Sequence, residues 1–363
     1  MLNPTRLSLA RRRRGLTKKR LAEAVGLSVR SLTAYEAGDQ VPSEATLGVI
    51  ARALMFPVGF FVGEDLEEIS DASASFRALS RMTASQRDSA LAAGTLARRF
   101  GRWIEERYEL PEPSVPNLDE FNEPEVVAQH VRLAWGLGER PISNMVHLME
   151  LHGVCVFSLV EECREVDAFS LWDGARPYVF LNTQKSAERS RFDAAHELGH
   201  LVMHQHGSPT GREAEEQANA FAGAFLMPRA AVIARAPNNP SLRSILEGRE
   251  IWSVSAVAYA HRLHKVGILS DWYYHEMARK LSAMGMRSEE KGSSLGRESS
   301  QSLRRIFDDL RSSGVTRAEV ARQLDLYPEE LDRLVFGLLM TGIPGDSEGG
   351  TPAPTRNHLR LVK

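Results

Sequence analysis

Arg191-Phe192-Asp193-Ala194-Ala195-His196-Glu197-Leu198-Gly199-His200-Leu201 is the stretch on which the reading of this 363-residue chain turns. It contains the pattern His-Glu-x-x-His. On an α-helix, residues four apart share a face, so His196 and His200 can present both imidazoles to one metal ion. Glu197, beside the first histidine, can reach a water held by that ion. A catalytic zinc site has three protein ligands and one open position, and zinc lowers the pKa of its water to about 7. Zn2+ is therefore the expected cofactor, with Glu197 as the catalytic base. The pattern is short enough to arise by chance, so its context matters. Phe192, Ala195 and Val202 give the helix an apolar face, and strand-like runs precede it.

The third ligand is the discriminating question. His206 stands ten residues after His196, the metzincin spacing, but those enzymes need a glycine where this chain has Met203. His204 stays on the same helix and reads as a neighbour of the site or a structural residue. The alternative is an acid on the next helix. Glu215-Glu216-Gln217-Ala218-Asn219 resembles the Glu-x-x-x-Asp of thermolysin-like zincins, where the acid binds zinc and the later residue orients a histidine. By that match Glu215 is a metal ligand and Asn219 its supporting partner. Glu213 and Glu216 stay open. The plain reading of all three acids is a solvated helix start favoured by the helix dipole; the histidine pair tips the balance to Glu215.

Working outward, runs at 153–159, 168–172 and 178–181 are short and rich in Val, Phe or Tyr, as strands are. Helices are expected at about 187–203 and 213–226, the second closed by Met227-Pro228. Helical spacing returns at 240–285 and 299–340. Residues 76–108 read as one long helix or a helical pair, and Pro111, Pro113 and Pro116 then make a linker. Residues 1–62 read as short helices, with Thr17 and Ser28 at N-cap positions and Gly26 and Gly38 at helix ends. That segment holds ten Lys/Arg against four acids while the whole chain is at −2, so its charge points to a local polyanion. Gly314-Val315-Thr316 with Glu319, Ala321 and Leu324 echoes Gly15-Leu16-Thr17 with Ala22 and Val25; a packed helical hairpin is the plain explanation.

Hydrophobic residues at 43% and charged residues at 25% fit a globular protein with more than one core. Cys155 and Cys163 match no zinc or redox spacing and read as incidental thiols. The five tryptophans read as packing residues. No apolar run follows the basic start, and none is long enough to span a bilayer, so the expectation is a cytoplasmic protein without membrane contact. The expected fold is mainly α and multidomain: a helix-turn-helix bundle over 1–65, a helical connector with a Pro-rich linker over 66–124, an α+β zincin-like domain with a small sheet over 125–235, a helical region over 236–340 and a disordered tail over 341–363.

Two resemblances extend these readings. The stretch quoted first, followed by Ala218-Asn219-Ala220-Phe221-Ala222 and Leu226-Met227-Pro228, resembles the ImmA/IrrE metallopeptidases. That resemblance implies a gluzincin-like domain over about 125–230 and, in the family, cleavage of repressor-type DNA-binding proteins. Leu16-Thr17-Lys18-Lys19-Arg20-Leu21-Ala22, Val25-Gly26-Leu27-Ser28, Tyr35-Glu36-Ala37-Gly38 and Pro42-Ser43 resemble the XRE, or lambda-repressor-like, helix-turn-helix. It implies a helix from about Ser28 to Tyr35 in the major groove, with Ser28, Arg30, Ser31 and Thr33 toward bases or phosphates. Lys18 replaces the family's usual glutamine and would meet a phosphate. Arg11, Arg12, Arg13 and Arg14 are expected on the DNA backbone too. The expected whole is a homodimeric, operator-binding regulator carrying a zinc peptidase. Two alternatives are a transcription factor whose zincin domain senses a ligand or partner without cleaving, and an antitoxin-type regulator.

Overall fold

The computed structural model describes residues 1–69, 83–121, 123–159, 168–205, 211–286, 295–339 and 360–361. Along the chain come α1 (Pro4–Arg13), α2 (Lys18–Val25), α3 (Val29–Ala37), α4 (Glu44–Leu54), α5 (Ala84–Glu105) and a short strand β1 (Tyr108–Glu109). Then follow α6 (Pro124–Ala134), α7 (Met145–Leu151), β2 (Cys155–Ser158), β3 (Ala168–Asp173), β4 (Arg176–Leu181), α8 (Ala187–Met203) and α9 (Arg212–Leu226). The rest is α10 (Arg229–Arg235), α11 (Leu242–Trp252), α12 (Ala256–Lys265), α13 (Asp271–Ala283), α14 (Gln301–Ser312), α15 (Arg317–Gln323), α16 (Pro328–Val335) and β5 (Arg360–Leu361). The architecture is mainly α with a three-stranded sheet of order β2-β4-β3, as the sequence predicts. Among the described residues no helix is long and apolar enough to cross a membrane. The tail from 340 to 359, Cys163 and His206 lie outside the described residues.

The described residues fall into two units, one within Met1–Pro111, Phe157–Val166 and Gln301–Lys363, the other within Glu112–Val156 and Asp167–Ser300. The helices after residue 235 are thus shared: α11, α12 and α13 belong to the second unit, and α14, α15 and α16 to the first.

In the first unit, Thr17, Ser28 and Ser43 N-cap α2, α3 and α4, each accepting the backbone N–H three residues on. Gly26 and Gly38 end α2 and α3 in the left-handed conformation. Leu7, Leu21, Leu32, Ile50 and Leu54 are fully buried between these helices. α5 is more than a connector. It is buried on nearly every side from Ser89 to Ile104, as a helix at the centre of a core must be. Its Ser85 and Ser89 hydroxyls donate to the carbonyls of Gly15 and Arg13, both at 2.8 Å. Further along, Trp103 donates to Gln323 at 3.0 Å and Arg99 pairs with Asp325 at 3.1 Å.

The arginine run at 11–14 is not laid out for DNA, and this corrects the sequence reading. Consecutive residues on a helix point 100° apart, so four arginines cannot share one face. Arg11 pairs with Glu36 at 2.6 Å and Arg12 with Glu68 at 2.5 Å. Arg13 and Arg14 both hold Glu330 of α16, at 2.6 and 2.7 Å. Glu330 is 1% exposed. Burial alone would push its carboxyl up, but the charges and hydrogen bonds of Arg13 and Arg14 hold it at about 2.

In the second unit, β3 and β4 form an antiparallel hairpin, from Ala168 paired with Leu181 to Asp173 paired with Arg176. α8 packs on β3, where the Trp172 indole donates to the Leu201 carbonyl at 3.3 Å. α9 crosses α8 at Gly199. A side chain there would stand 3.0 Å from the Phe221 ring, so the glycine permits the approach. Arg191, fully buried on α8, is held by Glu298 and by the Ile142 carbonyl. Glu298 also accepts the N–H groups of Met145 and Val146, at 2.8 and 3.2 Å, and so ties α7 to α8. Among the tryptophans, Trp272 departs from the packing expected of it, being 69% exposed on α13.

A carboxyl held below its ordinary 4.5 contributes stability above that pH and loses it as the pH falls toward its folded value of about 2. Glu330→Gln is expected to lower stability at neutral pH by about 3–5 kcal/mol, because it uncovers buried arginines. It should also flatten the acid side of the first unit's stability profile, which thermal scans from about pH 7 to pH 3 would show.

Candidate metal centre

α8 and α9 bring three side chains to one point. His196 and His200 share a face of α8, one turn apart, and Glu215 reaches them from the first turn of α9. The two Nε2 atoms are 3.1 Å apart. Glu215 carboxylate oxygens lie 3.5 Å from His196 Nε2 and 3.4 Å from His200 Nε2. A tetrahedral ion with ligands at about 2.0–2.1 Å has ligand–ligand edges of about 3.3 Å. The donor set, two imidazoles and a carboxylate, and the three edges both fit a zinc-sized ion. Both histidines are 5% exposed. Burial pushes the Glu215 carboxyl up, yet the hydrogen bonds and charges of His196 and His200 outweigh it and bring the group to about 2. Of the acids left open by sequence, Glu213 and Glu216 face solvent, and Glu216 pairs with Arg212 at 2.7 Å. Asn219 is half-buried one turn beyond Glu215 on the same helix.

The other predicted residues sit in the first unit. Ser28, Arg30, Ser31 and Thr33 occupy the start of α3, with Arg30 and Thr33 exposed. Ser28 is engaged as the N-cap, and its hydroxyl lies 2.8 Å from that of Ser31. Lys18, the first residue of α2, lies 3.4 Å from Glu36 and stays 39% exposed along its side chain.

Residues 149–264 match a peptidase family described as IrrE N-terminal-like domain, and residues 7–59 match a family described as Helix-turn-helix. The chain thus carries, in order, a segment similar to a helix-turn-helix and a segment similar to the IrrE N-terminal-like domain. No curated protein matches it.

Around the cluster of His196, His200 and Glu215 the structure adds groups that no motif announced. Ser170, 1% exposed on β3, donates its hydroxyl to a Glu197 carboxylate oxygen at 2.7 Å. This fixes one oxygen of the carboxylate beside the histidine pair. On the other side, His200 Nδ1 lies 2.9 Å from His204 Nδ1, and His204 Nε2 lies 3.0 Å from Gln217 Oε1. The roles follow from the acceptor at the end. Gln217 Oε1 accepts, so His204 Nε2 donates. Burial lowers the His204 pKa below its ordinary value and keeps the ring neutral, so its Nδ1 accepts. His200 therefore donates from Nδ1, which would leave its Nε2 lone pair to a bound metal ion. Sequence placed His204 on the helix but gave no sign of Gln217 as its partner, because the contact crosses from α8 to α9.

His204→Phe removes the acceptor that orients His200 and is expected to weaken zinc affinity about 10–100-fold. Gln217→Leu should act in the same direction and less strongly. Competition with a chromophoric chelator measures both.

Proposed function

We propose that this chain is a cytoplasmic, operator-binding transcriptional regulator that carries a zinc-dependent metallopeptidase acting on repressor-type proteins. The observation that carries the enzymatic half is the convergence of His196, His200 and Glu215, with Glu197 held beside them by Ser170. Residues 125–235 would form the peptidase domain and residues 1–65 the DNA-binding domain. His196, His200 and Glu215 would hold Zn2+, which when bound supplies a Lewis acid and an activated water. Glu197 manages the proton: a carboxylate oxygen takes it from the attacking water and returns it to the departing amine as the peptide bond breaks. Ser170 keeps that carboxylate aimed, and Asn219 would support the ligand set from α9.

For DNA, α3 would enter the major groove, with Arg30 and Thr33 toward base edges and Ser28, Ser31 and Lys18 at the backbone. A homodimer on two half-sites suits that geometry. The union of both modules in one chain also favours a second reading, in which the zinc domain senses a peptide or partner and changes operator affinity without cutting.

Metal analysis with a proteolysis assay on repressor-type proteins separates the readings. Wild type should carry one zinc and cleave; Glu197→Gln should keep the zinc and lose cleavage by at least about 100-fold. Zinc without cleavage, in wild type and variant alike, would favour the sensor. For the DNA half, Arg30→Ala is expected to weaken binding by about 1–3 kcal/mol, and affinity should fall steeply between about 50 and 200 mM salt. A flat salt profile in a mobility-shift titration would contradict DNA binding of this kind.

A further inference from the structure

The echo between residues 314–324 and 15–25 extends, in the first unit, through three helices at one constant offset along the chain. Leu7 of α1 and Ile306 of α14 are both buried. Gly15 and Gly314 turn the chain at φ +61° and +74°. Thr17 and Thr316 then N-cap α2 and α15, each accepting the N–H three residues on. Leu21 and Ala22 are buried on α2, as Val320 and Ala321 are on α15. Gly26 and Asp325 make the left-handed turn, at φ +69° and +50°. The next N–H, from Leu27 or Leu326, returns to the carbonyl of Ala22 or Ala321 at 2.9 and 2.8 Å. Ser28 and Tyr327 stand at the N-caps of α3 and α16, and Leu32 and Leu331 are both fully buried. A hairpin shares none of this third-helix register.

α16 is thus the counterpart of α3, and its chemistry is inverted. Where α3 has Arg30, Ser31 and Thr33, α16 has Glu329, Glu330 and Asp332. Three carboxylates repel a phosphate backbone. Glu330, in the place of Ser31, is instead buried between Arg13 and Arg14 of α1. From the same helix α1, Arg11 holds Glu36 of α3 through two hydrogen bonds, at 2.6 and 3.1 Å.

We propose that residues 301–339 are a second helix-turn-helix whose reading helix grips protein rather than DNA: Glu330 binds Arg13 and Arg14 and, through α1, positions α3. Glu330 is then a positioning residue for the first helix-turn-helix, which it influences without reaching the nucleic acid. The DNA clause rests on the operator-binding reading above; the clamp does not.

The experiment uses the full chain. Thermal unfolding is measured for Glu330→Gln, Arg13→Met and the double variant. Each single change is expected to lower Tm by several degrees, and the double change by no more than the worse single. Additive losses would overturn the clamp. If Arg13→Met does not fold, Arg13→Lys gives the same comparison. DNA affinity is then measured on duplexes that the wild-type protein selects from a random-sequence pool. Glu330→Gln is expected to weaken it about tenfold, while Glu329→Gln with Asp332→Asn leaves it within about twofold. Wild-type affinity in Glu330→Gln would overturn the positioning role. A tenfold change from the two surface substitutions would show that α16 reads DNA. Should the wild-type chain select no duplex, the operator-binding reading fails and the thermal cycle still decides the clamp.

Discussion

The crossing of α8 and α9 at Gly199 is the constraint on which the candidate metal centre depends. Two histidines on one helix make a bidentate site at most. The third donor has to come from elsewhere, within a few tenths of an ångström of the position the first two dictate. Phe221 and Ala218 fill the space a side chain at Gly199 would need, and the resulting approach carries Glu215 to within 3.5 Å of both imidazoles. The same crossing sets Gln217 against His204, so one packing contact brings in the third donor and the partner of the ring that meets His200. Arg191, Glu298 and the Trp172 contact then fix α8 against α7 and β3.

How far the sequence discloses this depends on whether an interaction is local. His196, Glu197 and His200 are legible because helix periodicity alone places them together. The caps at Thr17 and Ser28 and the turns at Gly26 and Gly38 are legible for the same reason. Glu215 is legible only by resemblance: its neighbours Glu213 and Glu216 have the same chemistry, and what separates them is the rotation of α9 about its axis. Ser170 and Gln217 had no signal at all, since each acts across a tertiary contact on a residue far away in sequence.

The arginines of α1 show the opposite failure. A basic run beside a helix-turn-helix invites a reading as a DNA contact, because charge is counted along the sequence while helical geometry scatters it. Glu330, the acid that pairs with both Arg13 and Arg14, lies more than three hundred residues away on α16. Burial of Glu330 between two guanidinium groups is one of the contacts, with Trp103–Gln323 and Arg99–Asp325, that tie the C-terminal helices to the N-terminal ones, and no linear pattern marks it.

Every role proposed for this centre requires that the three convergent donors form one metal site. Zinc titration of the metal-free chain, followed calorimetrically, tests this most directly. Wild type should bind one zinc per chain; Glu215→Ala should lose affinity by at least about 100-fold, while Glu213→Ala and Glu216→Ala bind as wild type does. Undiminished affinity in Glu215→Ala, or none in wild type, would contradict it.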